Sequence, residues 1–192
     1  MKPYSLALFL AAALPFASFA QAQQESFTIN PTTSKVAFSL GGNVHQVEGT
    51  FKVQSGAVRF GPGPGAVSGM IVVSAASGNS GDKGRDRDMD KKVLTIARFP
   101  EITFAPKSYQ GTFAPTGDST IQVSGIFTLH GTPHDITVPM HIHLDGSNAT
   151  ATGSFEVPYV NWGLKNPSIL FLKVAKVVRI DLTLAGTAAG FR

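Results

Sequence analysis

The stretch Ile121-Gln122-Val123-Ser124-Gly125-Ile126-Phe127-Thr128-Leu129-His130-Gly131-Thr132-Pro133-His134-Asp135-Ile136-Thr137-Val138-Pro139-Met140-His141-Ile142-His143-Leu144 decides the fold. Ile121, Val123, Gly125, Phe127 and Leu129 alternate with Gln122, Ser124, Ile126, Thr128 and His130. Beyond Gly131-Thr132-Pro133, a second series (Ile136, Val138, Met140, Ile142, Leu144) alternates with Asp135, Thr137, Pro139, His141 and His143. A period of two puts one set on a buried face and the other on a wet face, which is the mark of a β-strand. The connection between the two runs is short enough for an antiparallel hairpin.

The same rhythm recurs on both sides. Val36, Phe38 and Leu40 alternate with Lys35, Ala37 and Ser39, and further strands are predicted over residues 49–60, 67–75, 102–109, 149–157 and 174–184. Turn signals separate them: Gly61-Pro62-Gly63-Pro64-Gly65, Pro115-Thr116-Gly117-Asp118 and Asp145-Gly146-Ser147-Asn148. Gly56, inside one strand, predicts a bulge or bend. About eight antiparallel strands are best served by closure into a barrel, which leaves no exposed edge.

One stretch departs from the pattern. Residues 78–98 begin polar and pass through Arg85-Asp86-Arg87-Asp88-Met89-Asp90-Lys91-Lys92. Met89 and Val93 stand four apart with Leu94 and Ala97 nearby, so a loop leading into a short amphipathic helix is expected, stopped before Pro100 and lying across one barrel end as a cap.

Composition agrees with an all-β reading. The 192 residues, 43% of them apolar, suffice for one domain with a sizeable core; only 15% are charged, while 20 Gly and 12 Pro supply turns. Residues 1–22 read as a signal peptide: Lys2, an apolar run over residues 6–16, then Ser18-Phe19-Ala20 and Ala20-Gln21-Ala22 as small-residue cleavage patterns. That leaves residues 23–192 as the mature domain and places it in the periplasm or outside the cell. With no cysteine the core must hold the fold alone, and thiolate chemistry is excluded. The formal charge is +4, but the basic residues are spread along the sequence without the clustered stripe of a nucleic-acid binder. Transient contact with an acidic or membrane surface stays open, as does the oligomeric state.

Eight strands enclose an interior just wide enough either for interlocking side chains or for one slender ligand. Small inward positions such as Gly125 and Gly153 leave space unless a neighbour fills it, and 14 Phe offer an apolar lining. Among polar candidates, His141 and His143 lie two apart on one strand, and His130 and His134 flank the turn; two such His can share a metal, but they alternate with the apolar set and lack partner ligands. Asp86, Asp88 and Asp90 resemble the start of a calcium loop, yet Lys91 and Ala97 occupy positions needing Gly and Glu. No nucleophile elbow, phosphate loop or dinucleotide fingerprint occurs. The segment Pro158-Tyr159-Val160-Asn161-Trp162-Gly163-Leu164-Lys165-Asn166-Pro167-Ser168 reads equally as a gate or as a plug over the core.

Taken together, Ser34-Lys35-Val36-Ala37-Phe38, Val47-Glu48-Gly49-Thr50-Phe51, Arg85-Asp86-Arg87-Asp88-Met89-Asp90, Phe99-Pro100-Glu101-Ile102-Thr103-Phe104 and Val123-Ser124-Gly125-Ile126-Phe127-Thr128-Leu129-His130-Gly131 resemble the YceI-like family across nearly the whole mature chain. The resemblance implies an eight-stranded antiparallel lipocalin-like barrel with one short capping helix. It also implies an apolar pore for an amphiphilic isoprenoid such as a quinone or polyprenyl phosphate. On that reading the tail lies among Phe51, Val72, Phe104, Phe127, Met140 and Phe155, and the headgroup meets Arg85, Asp86, Asn161 and Trp162. The expected role is a carrier, with no catalytic residue, metal or cofactor. The rival readings are a His-dependent metal enzyme and a filled barrel acting through its surface in a stress response.

Overall fold

A computed structural model describes residues 24–43, 46–61, 63–168 and 173–191. The expected signal peptide lies outside the described residues, as do His45, near the mouth of the first hairpin, and Phe171, one of the rings expected to line the interior. Nine β-segments run in chain order: β1 (Ser26–Ile29), β2 (Lys35–Leu40), β3 (Val47–Phe60), β4 (Val67–Asn79), β5 (Glu101–Gln110), β6 (Gly117–Leu129), β7 (Thr132–Asp145), β8 (Asn148–Val157) and β9 (Val178–Ala189). Every pairing is antiparallel, and the β3–β4 pairing closes the ring.

The nine segments make eight barrel strands because β1 and β2 share one place. Both lie between β3 and β9: Phe27 pairs with Val58 and Ala188, and Phe38 with Gly49 and Ile180. Residues 30–34 interrupt this strand. Ser34 Oγ bridges the gap by accepting from Ala185 N at 3.0 Å and approaching Ala185 O at 3.2 Å, so the backbone of β9 stays satisfied. The short β1 was not anticipated from sequence, and β9 starts at Val178 rather than 174.

Three register shifts shape the wall, the first between Thr50 and Lys52 of β3, where the partner on β4 jumps from Asn79 to Ser74. Val53 pairs with Val73 and Ser55 with Val72, leaving Gln54 as the extra residue. The bend expected at Gly56 therefore falls two residues earlier. It also inverts the parity of β3, so that Phe51 faces inward before it and Val58 and Phe60 after it. On β5 the register shifts between Pro106 and Ser108, and Pro106, which has no N–H to give a ladder, sits beside that irregularity.

The central hairpin turns more tightly than Gly131-Thr132-Pro133 suggested. Thr132 and Pro133 already belong to β7, and the turn is His130 (φ 52°) with Gly131 (φ 74°). Two consecutive left-handed residues match the twist of a two-residue hairpin. Glycine is needed at 131 for space as well, because a Cβ there would run into the Phe99 ring.

The cap is a helix, α1 (Lys83–Asp88), followed by one wide turn over Met89–Val93. Asp82 starts it by accepting from Arg85 N at 2.8 Å, and this bond holds the Asp82 carboxyl below its ordinary value. Leu94 N donating to Met89 O at 2.8 Å and Ile96 N to Asp90 O at 3.0 Å close its other end, with Thr95 in the left-handed region at φ 50°. Among the described residues, no polar or charged residue is buried.

Candidate ligand cavity

The inward faces do not meet on the barrel axis. They enclose an elongated cavity of about 520 Å³, within the range of small-molecule sites. Its middle is lined by Phe51, Phe104, Val123, Phe127, Val138, Met140, Ile180 and Leu182, its deep end by Phe27, Val58, Phe60 and Val67. Met89, Val93 and Leu94 of the cap and Tyr159 and Leu164 of the β8–β9 connection roof the other end. Because β3 contributes from Val47 to Phe60, the lined length is on the order of 30 Å for strands tilted as in such barrels.

The small inward residues do not create this space. A Cβ on Gly125 would meet the Phe104 ring, and one on Gly153 would meet the Met140 sulfur. Glycine lets these large side chains lie flat against the wall, and the void runs between them.

The two ends of the cavity differ. At the deep end Phe60 packs edge-on against Phe113 (4.9 Å between centroids), Tyr109 (5.5 Å) and Phe191 (5.5 Å), forming an aromatic floor. At the opposite end the lining becomes polar: Ser80, Arg85 and Asp88, with Pro167 and Val174 contributed by the β8–β9 connection. Ser80 organises this mouth. Its backbone N–H and hydroxyl donate to Asp86 Oδ1 at 2.9 and 2.5 Å, while Arg85 donates through Nε to Ser80 Oγ at 2.8 Å and through Nη2 to Ser80 O at 3.1 Å. Arg85 has no carboxylate partner among the described residues. An exposed guanidinium held by neutral groups is suited to receive an anionic oxygen.

Six of the ten residues expected at a ligand line the cavity: Phe51, Phe104, Phe127, Met140, Phe155 and Arg85. Val72 does not. On β4 the inward positions are Val67, Ile71 and Val73, so Val72 faces out and its two neighbours take the role. Asp86 is absent from the lining because its carboxylate is engaged by Ser80; Asp88 stands at the rim instead, with Lys92 Nζ 2.8 Å from it. Asn161 is exposed and outside the lining. Trp162 is also outside it, stacked on the His134 ring at 3.8 Å and 7° and 6.0 Å from Phe127. The Tyr159 hydroxyl donates to Ala175 O at 2.7 Å, burial pushes its pKa above the ordinary value, and Tyr159 packs with Leu164 over this end of the cavity. Sequence reading missed Ser80 and Asp88 at the rim, and Phe27, Val58 and Phe60 at the floor.

The histidines are scattered by function. His141 and His143 lie exposed on the outer face of β7, with Nδ1 3.0 Å from Thr120 Oγ1 and 2.8 Å from Asp118 Oδ1, respectively. His130 Nε2 lies 3.2 Å from Thr95 Oγ1, tying the cap's end to the β6–β7 turn. Among the described residues no three His, Asp or Glu come together to hold a metal ion.

A closed eight-stranded antiparallel barrel with a long apolar cavity and a helical cap defines the lipocalin-like class. Within that class, the YceI-like domain model matches residues 27–185, and the chain belongs to the YceI-like family. A UPF0312 protein of Pseudomonas syringae pv. tomato is 25% identical over 148 residues, 73% of each chain. The fold is shared with the crystal structure of Burkholderia cenocepacia BcnA (24% identity, TM-score 0.66, covering 83% of this chain and 99% of that one). It is shared too with a polyisoprenoid-binding domain from Saccharophagus degradans implicated in plant cell wall breakdown (16% identity, TM-score 0.63, covering 84% and 98%).

Proposed function

We propose that this protein is a carrier or sequestering protein for an amphiphilic isoprenoid, acting in the periplasm or outside the cell, without catalysis. The observation that carries the reading is the cavity: a continuous apolar tunnel, closed by aromatic rings at one end and polar only at the other. That gradient matches a molecule with one long apolar tail and one polar head. The tail lies among Phe51, Phe104, Phe127, Met140 and Phe155; the head meets Arg85, with Ser80 and Asp88 beside it. Each buried CH₂ contributes about 0.8 kcal/mol, so ten of them offer about 8 kcal/mol before the costs of association. The Saccharophagus degradans domain, described as polyisoprenoid-binding, supports the choice of tail, and the apolar run at residues 6–16 supports export. Native mass spectrometry after gentle purification should show the protein with a co-purified lipid of isoprenoid mass. A clean apo mass together with no uptake of quinone analogues or polyprenyl phosphates would contradict carriage.

A further inference from the structure

We propose that the barrel docks mouth-first on an anionic phospholipid surface; this rests on the carrier reading, for which it supplies the place where cargo is exchanged. The basic residues are spread in sequence, but the fold gathers them. All connections at the mouth (residues 41–46, 80–100, 130–131 and 158–177) together contain nine Lys and Arg against four Asp, a net of +5, whereas the whole chain carries +4. The hairpin connections at the floor (residues 61–66, 111–116 and 146–147) contain no Lys or Arg at all. The molecule is thus basic at the end where its cavity is polar and reaches exposed residues, and weakly acidic over the rest.

The charges at the mouth are also available. Of the four acids there, Asp82 caps α1, Asp86 is held by Ser80, Asp88 pairs with Lys92, and Asp90 is half-buried with its carboxyl raised by desolvation and then by Asp86. Lys83, Arg87, Lys91, Lys165, Lys173 and Lys176 are exposed and have no ion-pair partner among the described residues. Lys173 is fixed in place rather than trailing: its N–H donates to Asn43 Oδ1 at 2.9 Å and its carbonyl accepts from Asn43 N at 3.0 Å, joining the β8–β9 and β2–β3 connections into one rim. Val177, beside Lys176, is an exposed large apolar residue at this end; Met70 on β4 is the other among the described residues. Unpaired bases around the polar mouth of an apolar cavity fit a phosphate-covered lipid surface, which attracts each Lys or Arg within a Debye length. An acidic protein or a nucleic acid would use the charge but not the opening.

Vesicle co-sedimentation tests this with the purified protein. Binding to vesicles containing phosphatidylglycerol, little binding to pure phosphatidylcholine, and loss of binding at high salt are expected. Lys165→Glu/Lys173→Glu/Lys176→Glu should weaken binding about tenfold or more. A second set, Lys83→Glu/Lys91→Glu, should act in the same direction, and Lys107→Glu, on the wall, should leave binding unchanged. Equal binding to both vesicle types, an indifferent triple variant, or tighter binding to duplex DNA or polyglutamate than to the vesicles would overturn the proposal. Isoprenoid uptake measured on the same variants by native mass spectrometry separates the two claims. Uptake without vesicle binding sinks the docking alone, and vesicle binding without uptake sinks the carrier reading.

Discussion

The floor and the mouth of the barrel are built by opposite means. The floor uses hairpin connections free of Lys and Arg and closes on Phe60, Tyr109, Phe113 and Phe191, rings that need only one another. The mouth uses the two longest connections, a charged cap, and two non-glycine residues in the left-handed region, Thr95 and His130, within hydrogen-bond reach of each other. Such backbone costs about 1–3 kcal/mol per residue and persists only where surrounding contacts enforce it. Apolar packing can therefore be spent on stability at one end, while the other keeps polar groups and strain at the mouth of the cavity.

Breaking the floor should cost the most. Phe60 is buried against three rings, so Phe60→Ala should lower unfolding free energy by about 3–5 kcal/mol in urea titrations. A mouth substitution should behave otherwise. Arg85→Ala should leave the urea midpoint nearly unchanged, yet weaken binding of a polyprenyl phosphate by about 1.5–3 kcal/mol in calorimetry, with the corresponding alcohol much less affected. Equal losses for both ligands would show that Arg85 does not meet the head.

Smaller effects sharpen the contrast within the mouth. Tyr159→Phe removes the bond to Ala175 O and should cost about 1 kcal/mol of stability. Asp90 provides the smallest and a pH-dependent case. Desolvation, and then Asp86, raise its folded carboxyl above the ordinary 3.8, and Oδ1 is buried without a hydrogen-bond partner. Between 3.8 and the raised value the native state holds the proton more tightly than the unfolded chain, so stability falls as pH rises through that window. Asp90→Asn should therefore raise Tm slightly at pH 7, the gain vanishing below the window. A gain that persists in acid would place its cause elsewhere.

Period-two alternation in β6, β7 and β8 made their inward faces readable residue by residue, which is why Phe127, Met140 and Phe155 line the tunnel as expected. Where a bulge resets the parity, as at Gln54, or where no polar partner marks the phase, as around Val72, the same rule misplaces a face. Short β1 escaped notice because four residues carry too little pattern. Asp86 and Trp162 were chosen for chemistry near the mouth, but their partners, Ser80 and His134, are set by tertiary contacts that no local spacing reveals. The gathering of scattered bases on one rim was hidden for the same reason: it depends on which connections share an end of the barrel.

Calorimetric titration with a series of linear prenyl alcohols of increasing length bears most directly on the tunnel. If the tail lies along it, affinity should rise at least tenfold with each added unit, then level off once the chain reaches the ring of Phe60. Affinity that stays flat with chain length would contradict a tail held along the barrel axis.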